Sequence, residues 1–330
     1  MSVKMKDIAR YAGISTATVS LALQDKPCVA EATRRRIQQL AESLGYTPSG
    51  IGRALQSGRS NLIGYALHSV DSSFFSEIMQ GIGAEAAKRG YGLLAAITGG
   101  SPAEMASQIR IFREKRIEGL ISSVGDNGTL TQISDMERAG CPAVFCSLES
   151  PLPNVPAAVT DDRLGGRMAG EHLAERGARR IAFFTTRPFN PADSSSNLAL
   201  RQMGCAEAMA DSGLPALRLF LDEHALAAAL KEPRRSRPDA IFAFCDDDAV
   251  SVKQCADAAG LRIPDDLLLV GFDNSKTASL PEYSLSSMAP QKRSIGECAV
   301  RMLLDRIAGR QVGTARLAPS LVTRKSTKSF

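Results

Sequence analysis

The run Asp7-Ile8-Ala9-Arg10-Tyr11-Ala12-Gly13-Ile14-Ser15-Thr16-Ala17-Thr18-Val19-Ser20-Leu21-Ala22-Leu23 spells two short helices across a tight turn. Ile8, Ala9 and Ala12 fall on one helical face. Gly13 breaks that helix, and Ser15 is a good N-cap for the next, its side-chain oxygen accepting a backbone N–H. In the second helix Val19, Ala22 and Leu23 share a face, with Thr16, Ala17 and Ser20 largely opposite. Two such helices joined by three or four residues make a helix-turn-helix. A third amphipathic helix is expected from about Ala32 to Leu44, with Ile37, Leu40, Ala41 and Leu44 inward and Arg34-Arg35-Arg36 outward. Gly45 stops it, and Tyr46-Thr47-Pro48 turns the chain.

Charge points the same way. Residues 1–60 hold nine Lys/Arg against four Asp/Glu, and the rest of the chain is balanced, so the whole formal charge of +5 sits at this end. A small basic unit on a larger neutral one suits a polyanion-binding head on a body with another task. In a helix-turn-helix on DNA the second helix lies in the major groove and its first residues reach base edges. Small polar side chains such as Ser15, Thr16, Thr18 and Ser20 permit close backbone approach and phosphate bonding. Three helices alone also fit a protein-interaction domain.

The remainder of the 330 residues changes rhythm. Leu62–Leu67 is a short apolar run, followed by an amphipathic helix from Phe75 to Arg89, a strand at Leu93–Ile97 and a helix from Ala103 to Lys115. Strands at Leu120–Val124 and Ala143–Cys146 continue the series. A second series follows Thr160: helix Gly165–Arg176, strand Ile181–Phe184, helix Asn197–Asp211, strand Ala240–Phe244, helix Ala249–Ala259 and strand Leu267–Gly271. Apolar strands alternating with helices imply parallel sheets covered on both faces. Two series imply two doubly wound lobes with a cleft between them, and ligands in such sheets bind beyond the carboxyl ends of the strands.

Several classes are disfavoured. No window approaches the ~18 consecutive apolar residues of a membrane span, and the N-terminal residues lack the apolar stretch of a signal peptide. Seven cysteines, odd in number and without a CxxC pair, read as reduced thiols in a cytoplasmic protein. There is no P-loop, GxSxG, HExxH or strand-linked GxGxxG, so no enzyme is expected. His68, His172 and His224 are dispersed, and each is expected to be structural rather than catalytic. Asp246-Asp247-Asp248 lacks the spaced oxygen ligands of a calcium loop and reads as helix N-terminal acids. Neither a metal nor a cofactor is expected.

The segment Asp7-Ile8-Ala9-x-x-Ala12-Gly13-Ile14-Ser15-x-x-Thr18-Val19-Ser20, then Thr33-Arg34, Leu44-Gly45-Tyr46-x-Pro48 and Arg53-Ala54-Leu55-x-x-Gly58, resembles the opening of the LacI/GalR (lac-repressor) family of bacterial transcription regulators. The resemblance extends through Val159-Thr160-Asp161-Asp162-Arg163-x-Gly165-Gly166, Ile263-Pro264-x-Asp266, Val270-Gly271-Phe272-Asp273 and Leu321-Val322-x-Arg324-x-Ser326-Thr327. It implies an all-α helix-turn-helix head plus hinge helix, joined to an α/β body of two doubly wound lobes like the periplasmic binding proteins. The implied division is 1–48 for DNA binding, 49–60 for the hinge, and 61–330 for effector binding and dimerisation. The N-lobe would take about 61–160 plus 291–320, and the C-lobe about 161–290 plus 321–330.

The same resemblance implies a cytoplasmic repressor. It would bind a near-palindromic operator as a homodimer under control of a small effector, a sugar or sugar derivative. The alternative is a small-molecule binding protein without a DNA function. DNA contacts are expected from Lys6, Ser15, Thr16, Ala17, Thr18, Ser20, Leu21, Thr33, Tyr46 and Ser49, with Leu55 as a wedge in the minor groove. The first, second and sixth residues of the recognition helix fall on Thr16, Ala17 and Leu21; Leu21 cannot hydrogen-bond a base, and Ala17 and Leu21 suit thymine methyls. Gly50 and Gly52 each disfavour a hinge helix by about 1 kcal/mol, so that helix is expected to order on DNA. No trailing leucine heptad follows Phe330, so the tetramer helix of some members is not expected.

Effector contacts implied by the resemblance are an aromatic wall at Phe74 and Phe75, an arginine clamp at Arg201, and a carboxylate at Asp273. Ser147, His224 and Asp246 complete the expected set. This chain departs from the family at Cys245-Asp246, where many members have Asn-Asp, and at Pro290, where a Gln is common. His224 falls roughly where members often carry an aromatic.

Overall fold

The computed structural model describes residues 3–46, 59–71, 73–99, 101–188, 190 and 193–328. The expected hinge helix, Ser49 and Leu55 lie outside the described residues. The chain divides into two units, Met1–Asn61 and Leu62–Phe330.

The first unit contains helices α1 (Met5–Ala12), α2 (Thr16–Leu23) and α3 (Glu31–Ser43). Gly13 ends α1 with φ +69°, a left-handed conformation that a side chain would strain. Ser15 caps α2, its Oγ accepting the Thr18 N–H at 3.1 Å. Ile8, Ala9, Ala12, Val19, Ala22, Val29, Ile37 and Ala41 form the core. Arg34 departs from the outward expectation. Its Nη1 donates to the carbonyls of Lys26 and Val29 at 3.2 and 2.9 Å, and its guanidinium pairs with Asp25 at 2.9 Å, so it pins the α2–α3 loop. Arg35 and Arg36 are exposed.

The second unit contains two six-stranded sheets with the same winding. The first has the order β11-β5-β4-β3-β1-β2 and the second β12-β10-β9-β8-β6-β7. In the first sheet β1 is Leu62–Leu67, β2 Gly92–Ile97, β3 Gly119–Ser122, β4 Ala143–Cys146, β5 Ala157–Thr160 and β11 Ala315–Leu317. In the second β6 is Ile181–Phe184, β7 Arg218–Phe220, β8 Ala240–Ala243, β9 Leu268–Phe272, β10 Ser286–Ala289 and β12 Ser320–Val322. The pairs are parallel except β10–β12, which is antiparallel and corrects the all-parallel expectation. The chain leaves the first sheet after β5, returns after β10, and crosses once more between β11 and β12.

Helices cover both faces of each sheet. On the first they are α4 (Ser73–Lys88), α5 (Pro102–Glu114), α6 (Asn127–Arg138) and α12 (Lys292–Ile307). On the second they are α7 (Asp162–Glu175), α8 (Asn197–Asp211), α9 (Glu223–Leu230) and α10 (Asp246–Ala258), with a single turn α11 (Lys276–Ser279). Ile63, Tyr65 and Leu67 of β1 face α4 and α12, while Ala66 faces α5 and α6. Burial on both sides explains why the central strands read as unbroken apolar runs.

Two helix pairs cross through glycines. A Cβ on Gly166 of α7 would stand 2.7 Å from the Arg201 carbonyl carbon, and one on Gly204 of α8 would stand 2.7 Å from the Arg167 nitrogen. In the other lobe a Cβ on Gly296 of α12 would stand 2.9 Å from the Ile82 nitrogen of α4. Absent side chains let these backbones approach, and that sets where α8 delivers Arg201.

Candidate functional site

A cavity of about 660 Å³ opens between the lobes, within the usual size range of small-molecule sites. Its residues come from strand carboxyl ends, as doubly wound sheets dictate. From the first lobe come His68 and Ser69 after β1, Asp71, the paired rings of Phe74 and Phe75 at the start of α4, and Ser147 after β4. The two rings meet edge to face at 5.3 Å. From the second lobe come Arg187 after β6, Asn197 and Arg201 of α8, Phe244 and Cys245 after β8, Asp247, and Asp273 after β9. Asn197 ties the lobes together, its Nδ2 donating to the Ser147 carbonyl at 2.9 Å.

Arg201 is 3 % exposed. Its Nε donates to Asp162 Oδ1 at 2.7 Å and its Nη1 to the Phe244 carbonyl at 2.6 Å. Nη2 lies 3.9 Å from Asp273 Oδ1, and the guanidinium stacks over the Phe272 ring at 3.4 Å. Burial pushes the Asp162 carboxyl up to about 6, against the opposing pull of Arg201. Burial also raises Asp273, again opposed by Arg201. Asp273 takes φ +96°, which turns the chain at the mouth of β9. The arrangement is a buried arginine braced from behind by one carboxylate, presenting a second carboxylate and aromatic faces to the cavity.

Phe74, Phe75, Ser147, Arg201 and Asp273 therefore gather around one cavity. Two expected residues do not. Asp246 is 1 % exposed; its Oδ1 accepts from Ser287 Oγ and its Oδ2 from the Ser275 N–H, both at 2.6 Å, so it ties the start of α10 to β10 and to the start of α11. Its neighbour Asp247 lines the cavity instead. His224 is exposed on α9, away from the cavity lining, and the second lobe's aromatic surface is Phe244. His68, Ser69, Asp71, Arg187, Asn197, Phe244 and Asp247 were not singled out from the sequence as ligand contacts. Their common signal is position, one to five residues past a strand or at a helix start. Among the described residues no group of three His, Cys, Asp or Glu side chains is arranged to hold a metal, and no helix is long and apolar enough to cross a membrane.

In the first unit Lys6, Ser15, Thr16 and Ala17 are exposed, and Leu21 is 37 % exposed. Ala17 and Leu21, one turn apart, put an apolar stripe on the open face of α2. Thr18 is half-buried with its hydroxyl 2.9 Å from Ser15 Oγ. Thr33 and Tyr46 are half-buried, and Tyr46 packs on the helical core. Ser20 corrects the expectation: it is buried, and its Oγ accepts from Gln24 Nε2 at 3.0 Å, one turn on.

A basic helix-turn-helix on one chain with a two-lobed, ligand-cleft body defines a DNA-binding regulator with a ligand-binding domain, not an enzyme. Comparison with known proteins agrees. Residues 4–49 match the family described as "Bacterial regulatory proteins, lacI family", and residues 171–327 match the "Periplasmic binding protein-like domain". The "HTH-type transcriptional repressor PurR" of Aliivibrio fischeri (strain MJ11) is 30 % identical over 334 residues, spanning 98 % of this chain and 97 % of that protein. The chain belongs to the LacI family of bacterial transcription regulators. Two solved structures share its fold. The lac repressor dimer bound to operator and the anti-inducer ONPF is 24 % identical, covers 100 % of both chains and has a TM-score of 0.83. The complex of the transcriptional regulator CelR with cellobiose is 24 % identical, covers 98 % of this chain and 99 % of that one, and has a TM-score of 0.70.

Proposed function

We propose that this regulator is a cytoplasmic repressor that binds a near-palindromic operator as a homodimer, under control of a small polyhydroxylated molecule held between its lobes. The observation that carries the reading is the cavity itself. Two arginines, three carboxylates and aromatic faces converge from both lobes on one space, on the same chain as a helix-turn-helix. Carboxylates accept hydroxyl protons, guanidinium groups donate to ligand oxygens, and aromatic faces pack on the apolar face of a sugar ring. The CelR structure, named for cellobiose, and the Aliivibrio fischeri relative, named a repressor, lend support.

On this reading residues 1–48 bind DNA and 49–60 link them to the ligand-binding and dimerising body, 61–330. That body's first lobe takes about 61–160 plus 291–320, and its second about 161–290 plus 321–330. Thr16, Ala17 and Leu21 read bases, and thymine methyls suit the last two. Lys6, Ser15, Thr18, Thr33, Tyr46 and Ser49 contact the backbone or orient groups that do, and Leu55 wedges the minor groove. A ligand touching both lobes favours one lobe arrangement over another, and that preference is its lever on DNA affinity. A binding protein without a DNA function would leave the lacI-family match at residues 4–49 unexplained.

The test is selection of bound duplexes from random DNA, followed by anisotropy titrations of the winners against salt. A near-palindromic site bound at least a thousandfold tighter than bulk DNA is expected. Only weak, sequence-indifferent binding that salt erases would overturn the reading.

A further inference from the structure

The cavity holds two guanidinium groups with very different surroundings. Arg201 is buried and engaged by Asp162, Asp273 and the Phe244 carbonyl. Arg187 emerges from the end of β6 and is exposed to the cavity. Among the described residues its Nη2 meets the Cys245 sulfur, at 3.9 Å, and its guanidinium lies 5.7 Å from the centre of the Phe244 ring. Among the described residues no carboxylate lies within ion-pair distance of it. A guanidinium fork held against an aromatic face, with its donors open to a ligand cavity, matches a carboxylate or phosphate in shape and charge.

A second feature reinforces it. Asn197, the first residue of α8, lines the same cavity, and the first turn of this 15-residue helix carries no acidic residue. The partial positive charge of its N-terminus therefore lacks an acidic side chain in that turn. The start of α10 is the opposite case, with Asp246, Asp247 and Asp248 in its first turn. The cavity is thus polarised. Donors sit at Arg187 and the start of α8, and carboxylate acceptors at Asp71, Asp247 and Asp273. An anion without hydroxyls would meet the three carboxylates and gain nothing from them. A neutral sugar would leave Arg187 without its best partner.

We infer that the ligand is a polyhydroxylated anion, its carboxylate or phosphate bound by Arg187 and the N-terminus of α8, its hydroxyls bound by Asp247 and Asp273. This rests on the reading of the cavity as the ligand site. A charge-assisted hydrogen bond is stronger than a neutral one, and the typical difference corresponds to about tenfold in affinity.

The experiment is isothermal titration of the full chain with matched compounds: glucose, gluconate, glucuronate and glucose 6-phosphate, and the galactose counterparts. Each is repeated on Arg187→Gln and Phe75→Ala. An acid or phosphate should bind at least tenfold tighter than its neutral parent. Arg187→Gln should remove that preference without moving the melting temperature, since Arg187 carries no ion pair among the described residues. Whether the carboxylates or the phosphates win identifies the anion. Equal or tighter binding of the neutral parents, failure of every anion to bind, or a preference that survives Arg187→Gln overturns the inference. A neutral sugar whose binding Phe75→Ala abolishes would leave the cavity reading standing while refuting the anion. Binding untouched by both substitutions would overturn the cavity reading as well.

Discussion

Gly166→Ala tests whether the α7–α8 crossing places the arginine at the cavity. A Cβ there would stand 2.7 Å from the Arg201 carbonyl carbon and 2.8 Å from its Cα. Carbon atoms pack best at about 3.5–4.0 Å, so the two helices must part by roughly 1 Å. The obstructing atoms are backbone, and no side-chain rotation relieves them. Two effects oppose each other. Alanine in place of glycine inside a helix stabilises by about 1 kcal/mol, while overpacking costs about 1–3 kcal/mol and more when backbones must move. The clash should win by about 1–2 kcal/mol, a fall in melting temperature of roughly 2–8 °C for a body of this size.

The same displacement stretches the 2.7 Å bond from Arg201 to Asp162, which is the first residue of α7, so ligand affinity should fall about tenfold. Gly83→Ala in α4 is the control, because its new Cβ would meet only Leu93 Cδ2, at 3.9 Å. It should leave the melting temperature unchanged or raise it. Calorimetry on both variants at one protein concentration reads the signs. A Gly166→Ala protein that melts at or above the wild type would refute the packing argument.

Three further outcomes follow from individual contacts. Ser15→Ala removes the oxygen that accepts the Thr18 N–H, so chemical denaturation of the N-terminal unit should show a loss of about 1 kcal/mol; an unchanged midpoint would mean the cap is idle. Arg201→Met strands the buried Asp162 carboxylate and should destabilise the body by about 3–5 kcal/mol while abolishing ligand binding. Adding Asp162→Leu should recover most of the stability but not the binding, and no recovery would refute the pairing. Asp246 ionises near pH 4 in an unfolded chain, but burial pushes it up to about 6 in the folded one. Between those values the native state holds the extra proton, so this group's contribution to stability falls as pH rises. The stability difference, wild type minus Asp246→Asn, should therefore decline from pH 4 to pH 6 by up to about 1.4 kcal/mol per pH unit, and a flat difference would contradict the burial argument.

The central strands were legible because they are buried on both faces. Leu62–Leu67, Ala143–Cys146 and Ile181–Phe184 each form an unbroken apolar run, and the structure keeps those bounds. Apolar periodicity places helix starts late. α7 begins at Asp162 rather than Gly165, and α10 at Asp246 rather than Ala249, because a polar first turn carries caps and acids instead of apolar periodicity. Periodicity does not reveal α6, which buries only Thr129, Ile133 and Met136 over twelve residues. β7, β11 and β12 span three residues each and are half-exposed in part, too short for any pattern.

At the cavity, Arg201 and Asp273 came from resemblance. Nothing in their spacing joins an arginine in a helix to an aspartate 72 positions later; the sheet order does. Arg187 and Phe244 stay hidden because a loop residue past a strand carries no periodic signal, and Asn197 because a polar helix start carries none either. Ser20 and Arg34 misled for a related reason. A helical wheel shows which side of one helix is polar, not which side its neighbours or the next loop will cover.

The most direct test of the account is whether cavity and operator are energetically linked. On a duplex recovered by selection, operator affinity would be measured with and without a polyhydroxylated ligand, and ligand affinity with and without operator. Each should change the other by the same factor, between about 5- and 150-fold. A ligand that binds the cavity, loses affinity on Phe75→Ala, and leaves operator affinity unmoved would contradict it.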